Sequence, residues 1–289
     1  MRPRVTLQLP ALALPPARSL SGARVLLVGE GYVARALRPQ LEARGARVEA
    51  TARSGDWALA GEQAARSFAQ ASHVVVSVPP ARDGSDASLQ ALGRLATRAE
   101  WIGYLSATSV YGDRGGQWAF EGEAPTPGIA RGRRRAGAEA AWLERFPATQ
   151  LFRLAGIYGP GRSPFAKLRA GTARVVDAPG HVVNRIHRDD IVRVLLLSME
   201  RPSPGDIFNV ADGRPAPPGE VMDAAARMLG VRPAPRVPLD HASVSDMARS
   251  FYAETRRIDC ARARHRLGWE PRFADYEAGL RAVLNAEQA

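Results

Sequence analysis

The chain has 289 residues, a formal net charge of +11 and a sequence pI near 10.9, with 45% hydrophobic and 24% charged residues. That length accommodates one large α/β unit or two joined lobes. The composition excludes a disordered tail, and no apolar run is long enough to cross a bilayer. All but one of the 40 basic residues are arginine, spread along the whole chain with no zinc-finger spacing or RNA-binding aromatic motif, so a general basic surface is expected rather than a nucleic-acid site.

Residues 1–22 begin with basic and then apolar residues, but Pro10, Pro15 and Pro16 interrupt the apolar stretch and no small-residue cleavage site follows. A loosely ordered extension and a cytoplasmic protein are expected. "RVLLV" (24–28) is a short continuous apolar run, the mark of a parallel strand buried on both faces. Helical spacing follows through Val33, Leu37 and Leu41, with a stop at Gly45. At the junction, "VLLVGEGYVARAL" sets Gly29, Gly31 and Ala34 in G-x-G-x-x-A spacing, with Tyr32 and Val33 in the same turn. The first glycine permits the turn, the second lets backbone approach a pyrophosphate, and the small third residue lets helix and strand pack closely.

The second strand, "RVEATA", ends at Ala52 where an acid would bind ribose hydroxyls, and Arg53 and Ser54 come next. A guanidinium fork suits a 2′-phosphate, so NADP is the expected cofactor and NAD the alternative. "HVVVSVPP" predicts a third strand, with Val78 and Pro79 at its cofactor end. Further strands are expected at "WIGYLS", which ends in Ser106, and at "TQLFRLAGIYG" and "DIFNVAD". Helices are expected over 87–98, 136–145 and 189–199. This alternation implies a Rossmann-type doubly wound parallel sheet over residues 23–210, with ligands at the carboxyl ends of its strands and part of the substrate cleft at 160–187. A proline-rich entry after 211 and helical patterns near 258–267 and 274–286 predict a smaller substrate lobe over 211–289. Cys260 is the only cysteine, which rules out an intrachain disulfide or a cysteine metal cluster, and no metal is expected.

Five stretches in order, "VGEGYVARAL", "LSATSVYGD", "FRLAGIYGPGR", "NRIHRDDI" and "RRIDCARARHRLGWEP", together resemble the extended and atypical short-chain dehydrogenase/reductases, the NAD-dependent epimerase/dehydratase superfamily. The resemblance implies a seven-stranded sheet, NAD(P) at the glycine turn, and an oxidoreductase or epimerase acting on a small polar or sugar-like carbonyl substrate. In that family a Ser or Thr polarises the carbonyl and a Tyr moves the proton. A Lys four residues later lowers the tyrosine pKa and holds the ribose. This chain departs at each position. Ala107 stands five before Gly112, flanked by Ser106 and Thr108. Alignment on Glu139 puts Arg135 at the lysine and Arg131 at the tyrosine.

The sole lysine, Lys167, has Ser163 four residues before it, so no Tyr-x-x-x-Lys exists in the chain. A guanidinium stays protonated near neutral pH and cannot serve as the acid. Thr108, Tyr111, Tyr158 and His187 are the catalytic candidates left, against packing for Tyr111 and helix capping for the His187–Asp190 segment. Arg135 is expected at the cofactor ribose. Arg131, Arg153 and Arg185, with Tyr252, are expected at a small-molecule substrate, which Arg162 and Arg257 could also reach. The competing reading is a non-catalytic dinucleotide-binding sensor, and either a monomer or a homodimer is compatible with the sequence.

Overall fold

The computed structural model describes residues 14–51 and 56–288. Strand β1 (Arg24–Val28) leads through helix α1 (Tyr32–Glu42) to β2 (Arg47–Thr51), and α2 (Glu62–Gln70) leads to β3 (His73–Val76). Helix α3 (Ala87–Leu92) precedes β4 (Trp101–Ala107), which runs into a 3-10 turn at Thr108–Tyr111 and the short β5 (Trp118–Ala119). Next come α4 (Ala130–Arg145), β6 (Thr149–Leu154), β7 (Gly156–Tyr158), α5 (Phe165–Arg169), β8 (Val175–Val176), β9 (Arg185–His187), α6 (Arg188–Glu200) and β10 (Ile207–Val210). The C-terminal part holds α7 (Pro218–Leu229), β11 (Arg236–Val237), α8 (Asp246–Tyr252), β12 (Arg257–Ile258), α9 (Ala261–Leu267) and α10 (Tyr276–Gln288).

Six strands form one parallel sheet in the order β2-β1-β3-β4-β6-β10. The expected doubly wound architecture is present. The family resemblance implied a seventh strand in this sheet, and among the described residues the sheet has six, because α2 feeds directly into β3 with no further strand between them. Side chains alternate across β1. Val25 and Leu27 pack with Leu37, Leu41, Trp101, Phe152 and Leu195 on one face, while Leu26 and Val28 pack with Phe68, Ile102, Trp142 and Phe146 on the other. Both faces are covered, which is why the run is apolar without a break.

A separate core joins Tyr158, Phe165, Val175, Val221, Ala225, Tyr276 and Leu280. Packing does not follow chain order, however. Ile258, Ala263, Leu267 and Trp269 belong to the first core, beside Leu195 and Phe208. The Trp269 indole donates to Asp190 O (3.2 Å), and the Asp190 carboxylate takes the amides of Arg272 (2.6 Å) and Phe273 (3.1 Å). The expected N-terminal extension is anchored at its inner end, while residues 14–19 are exposed and form no helix or strand. Leu20 is buried in the first core and the Arg18 amide donates to Glu200 O at 2.8 Å, while residues 1–13 lie outside the described residues. The helix expected to reach Arg98 stops at Gly93, after which Thr97 Oγ1 turns back to donate to Phe68 O (2.8 Å). Among the described residues no helix is long and apolar enough to cross a membrane.

Candidate active site

A cleft of about 550 Å³ opens at the carboxyl ends of β1, β3, β4 and β6. The order of the sheet strands reverses between β1 and β3, and ligands of doubly wound sheets bind outside such a reversal. At Gly29 the backbone has φ +91°, and a Cβ would come within 2.7 Å of Val78 Cγ2 and 2.8 Å of Ser77 Oγ, so only glycine fits. The Gly29 amide donates to Thr51 O (2.8 Å) and Ser77 Oγ donates to Gly29 O (2.8 Å), pinning the turn between the ends of β2 and β3.

Gly31 differs from Gly29 in kind. Its backbone is extended and a Cβ there would meet nothing within 4 Å. It caps α1 without a side-chain acceptor, and the first turn of that helix carries no acid. The first amides of a helix have no partner inside it, so the open side of Gly31 is a cradle for an anion, and these residues fit a pyrophosphate. Tyr32, Val33 and Pro79 line the same end of the cleft, with Ala34 fully buried against the sheet and Val78 packed behind Gly29. The Tyr32 hydroxyl donates to Pro160 O (2.9 Å), joining the glycine turn to the loop after β7. Arg53 and Ser54, the basis of the NADP expectation, lie outside the described residues.

The wall continues along Leu105–Ser109 to Arg135 and Arg131 on α4. Spacing of four places Arg131, Arg135 and Glu139 on one helical face, turned toward β4. Arg135 donates to the Tyr104 hydroxyl and to Leu105 O, both at 3.1 Å. Arg131 donates to Ser250 Oγ (2.8 Å) and Ser250 O (3.2 Å), and its guanidinium lies 3.9 Å from the centre of the Phe251 ring. Ser106 lines the cleft, but its hydroxyl donates to Glu139 Oε1 at 2.5 Å. Glu139 is also held bidentately by Arg153, through Nε (3.1 Å) and Nη2 (2.7 Å).

Of the four catalytic candidates, only Thr108 is on the cleft wall. Tyr111 is fully buried, donates to Asn209 Oδ1 (2.8 Å), and has its hydroxyl pushed up to about 12 by burial. Tyr158 and His187 fail together for one geometric reason. They are register partners on the β7–β9 pair, and alternation turns Ile157 into the cleft and Tyr158 into the second core. His187 Nδ1 accepts the Asp189 amide (3.2 Å) while its ring packs 4.3 Å from Phe273, and burial lowers its pKa, so it is a neutral helix cap.

Two expected substrate arginines are also elsewhere. Arg153 is 1% exposed in its pair with Glu139, on the strand face opposite Leu154, which does line the cleft. Arg185 shares the face of His187 and donates to Val183 O (2.9 Å) and Ala216 O (3.1 Å). Tyr252 stands behind the wall, its ring 4.9 Å from that of His181.

No protein-family model matches the chain. Protein YeeZ of Escherichia coli strain K12 is 29% identical over 244 residues, which span 73% of this chain and 85% of that protein. The solved structure of a functionally unknown conserved protein from Silicibacter pomeroyi DSS is 39% identical, with a TM-score of 0.82 over 91% of this chain and 99% of that one. This chain belongs to the family of that Silicibacter protein. The human epimerase family protein SDR39U1 (isoform 2), solved with NADPH, shares the fold of the Silicibacter family member described here at a TM-score of 0.76, with 16% identity over 91% of this chain and 99% of the human one.

In this member of the Silicibacter family, the far end of the cleft is built by His181, Phe251 and Glu254, which lie outside the five quoted stretches, and by Asn184 and Arg256, which begin two of them. Glu254 is buried, and its Oε1 accepts the amides of Gly128 (3.0 Å) and Ile129 (3.2 Å) just ahead of α4. Its Oε2 accepts Arg256 Nη1 (3.0 Å), which also donates to Gly112 O. Asn184 Nδ2 donates to Arg256 O (2.9 Å) and Asn184 Oδ1 accepts the Ile258 amide (2.9 Å), tying the two loops together. His181 is 6% exposed, and burial lowers its pKa, with Arg256 acting in the same sense. Among the described residues no group of His, Cys, Asp and Glu could hold a metal.

Behind Tyr158, Asp212 is 4% exposed and its carboxyl is pushed up to about 7, chiefly by burial. The Arg214 amide and Arg185 oppose that shift, and Asp275 and Asp190 add to it. A raised folded-state pKa gives stability at low pH that is lost as pH rises through about 7. The Asp212→Asn variant should therefore gain in Tm over the wild type progressively from pH 5 to pH 8. Parallel Tm curves for the two proteins across that range would refute this assignment.

Proposed function

We propose that the chain is an NADP-dependent oxidoreductase or epimerase of the short-chain dehydrogenase/reductase type, acting on a small polar or sugar-like carbonyl substrate. The observation that carries this is the Gly29–Gly31 turn, left-handed and crowded at its first glycine and open at its second, at the β1/β3 reversal. Arg53, two residues after Thr51 in the sequence, supports NADP, and NADPH bound to the human protein of the same fold agrees with it. When bound, the nicotinamide supplies or accepts hydride. The chain's own part is to hold the diphosphate at Gly31 and the α1 N-terminus, and a ribose hydroxyl through Arg135, which stands where the related enzymes keep lysine. Thr108 and Ser109 are the hydroxyls free to donate to a carbonyl, since the Ser106 proton is committed to Glu139.

NADPH should quench tryptophan fluorescence saturably and bind at least about 10-fold more tightly than NADH, a preference that Arg53→Ala removes. Binding of neither nucleotide would overturn the reading. One observation favours a second reading, a non-catalytic dinucleotide sensor: Tyr111, Tyr158 and His187 are all off the cleft, so no tyrosine or histidine among the sequence candidates reaches a substrate. A carbonyl screen followed by NADPH absorbance separates the two readings, with turnover supporting the enzyme. Cytoplasmic placement and a monomeric or homodimeric state are part of the same proposal.

A further inference from the structure

We propose that the end of the cleft opposite Gly31 is an anion site, where a carboxylate or phosphoryl group of the substrate is held between Arg131 and Arg256. The inference rests on the reading above for what fills the other end. Arg131, Arg135, Arg162 and Arg256 line the cleft against one acid, Glu254. That acid accepts the Gly128 and Ile129 amides and pairs with Arg256, and its charge also favours Arg131, so a single carboxylate faces four guanidinium groups.

Arg131 is the sharpest case. It lies in the first turn of a 16-residue helix that carries no acid there and no side-chain cap. The partial positive charge of a helix N-terminus disfavours a cation in that turn; the Glu254 carboxylate at the Gly128 and Ile129 amides offsets part of it, and Arg256 adds a second positive charge beside Arg131. Burial lowers the Arg131 pKa, and its hydrogen bonds go to the neutral hydroxyl and carbonyl of Ser250. Guanidinium N–H groups beyond those two bonds remain for another acceptor. Phe251 lies flat against the group at 3.9 Å, fixing its plane without neutralising it. An anion from the substrate supplies the missing countercharge, and charge-assisted bidentate bonds to a carboxylate or phosphoryl group suit such a guanidinium. The rest of the substrate then runs along Leu105–Ser109 toward the glycine turn.

The test uses the full chain saturated with NADPH, so that the Gly31 cradle is filled, and follows Tm and calorimetric heat as inorganic phosphate or succinate is added. Saturable binding of either anion is expected. Arg131→Gln should weaken it at least about 10-fold, and Arg131→Lys, which keeps the charge but loses the fork and the stack on Phe251, should weaken it less than Arg131→Gln does. Tighter binding of phosphate identifies a phosphoryl substrate, and tighter binding of succinate a carboxylate. NADPH affinity, measured by fluorescence, should be the same in all three proteins. No saturable anion binding, or equal affinity in wild type and Arg131→Gln, overturns the proposal while leaving the cofactor reading standing. If NADPH itself fails to bind, the cofactor reading falls, and the wild-type against Arg131→Gln comparison on the free chain still decides the anion site.

Discussion

The Gly31→Val variant should fold like the wild type and lose NADPH affinity by at least about 100-fold, roughly 2.7 kcal/mol of binding free energy. The backbone at Gly31 is extended, a conformation open to any residue, and the space beside its α-carbon is empty to 4 Å. Valine there strains nothing and only weakens the helix start, by less than about 1 kcal/mol. Its methyl groups occupy the volume into which the α1 amides face, so a diphosphate can no longer approach them. Fluorescence titration gives the affinity and thermal melting gives the fold. An unaltered NADPH affinity in Gly31→Val would mean that the dinucleotide does not use this turn.

The second large effect concerns stability. Glu139→Ala should cost about 3–5 kcal/mol, because it leaves the Arg153 guanidinium buried without its carboxylate. That side chain is 2% exposed, Glu139 is its ion-pair partner, and its Nη1 already lacks a hydrogen bond among the described residues. Replacing both partners by apolar residues, Glu139→Leu with Arg153→Met, should recover most of the loss, since no stranded charge then remains. Urea unfolding of the two variants decides it. A single variant within about 1 kcal/mol of the wild type would show that the pair does not carry this charge balance.

Features that leave a mark on one short stretch were legible before the structure. Gly29 and Gly31 sit at a strand–helix junction where backbone geometry restricts the residue type, and the unbroken run Arg24–Val28 follows from a sheet covered on both faces. Arg131, Arg135 and Glu139 share one face of α4 because a spacing of four returns to the same side of a helix, and that spacing can be read directly from the sequence. The failures share a different cause. The segment Thr149–Gly159 reads as one strand, but β7 leaves the main sheet and pairs with β9, and the parity of three residues decides that Ile157 meets the cleft and Tyr158 does not. Nothing local encodes that parity. His181 and Glu254 lack a motif, and Arg256 has one that does not disclose its place in the cleft, because their setting is assembled from loops far apart in the chain, by Asn184 and by the start of α4. Arg153 looked like a ligand group because its counter-ion, Glu139, lies on another element.

The return of Ile258–Trp269 to the first core bears on how specificity in this protein can change. A C-terminal half grafted from a relative would remove Trp269 and Leu267 from beneath Leu195, and Glu254 from the entry to α4. The recipient would lose part of the core beneath its central sheet along with the far end of its cleft. The two halves are therefore not interchangeable cassettes. New preferences have to be acquired in place, one side chain at a time, along the 177–184 loop and α8.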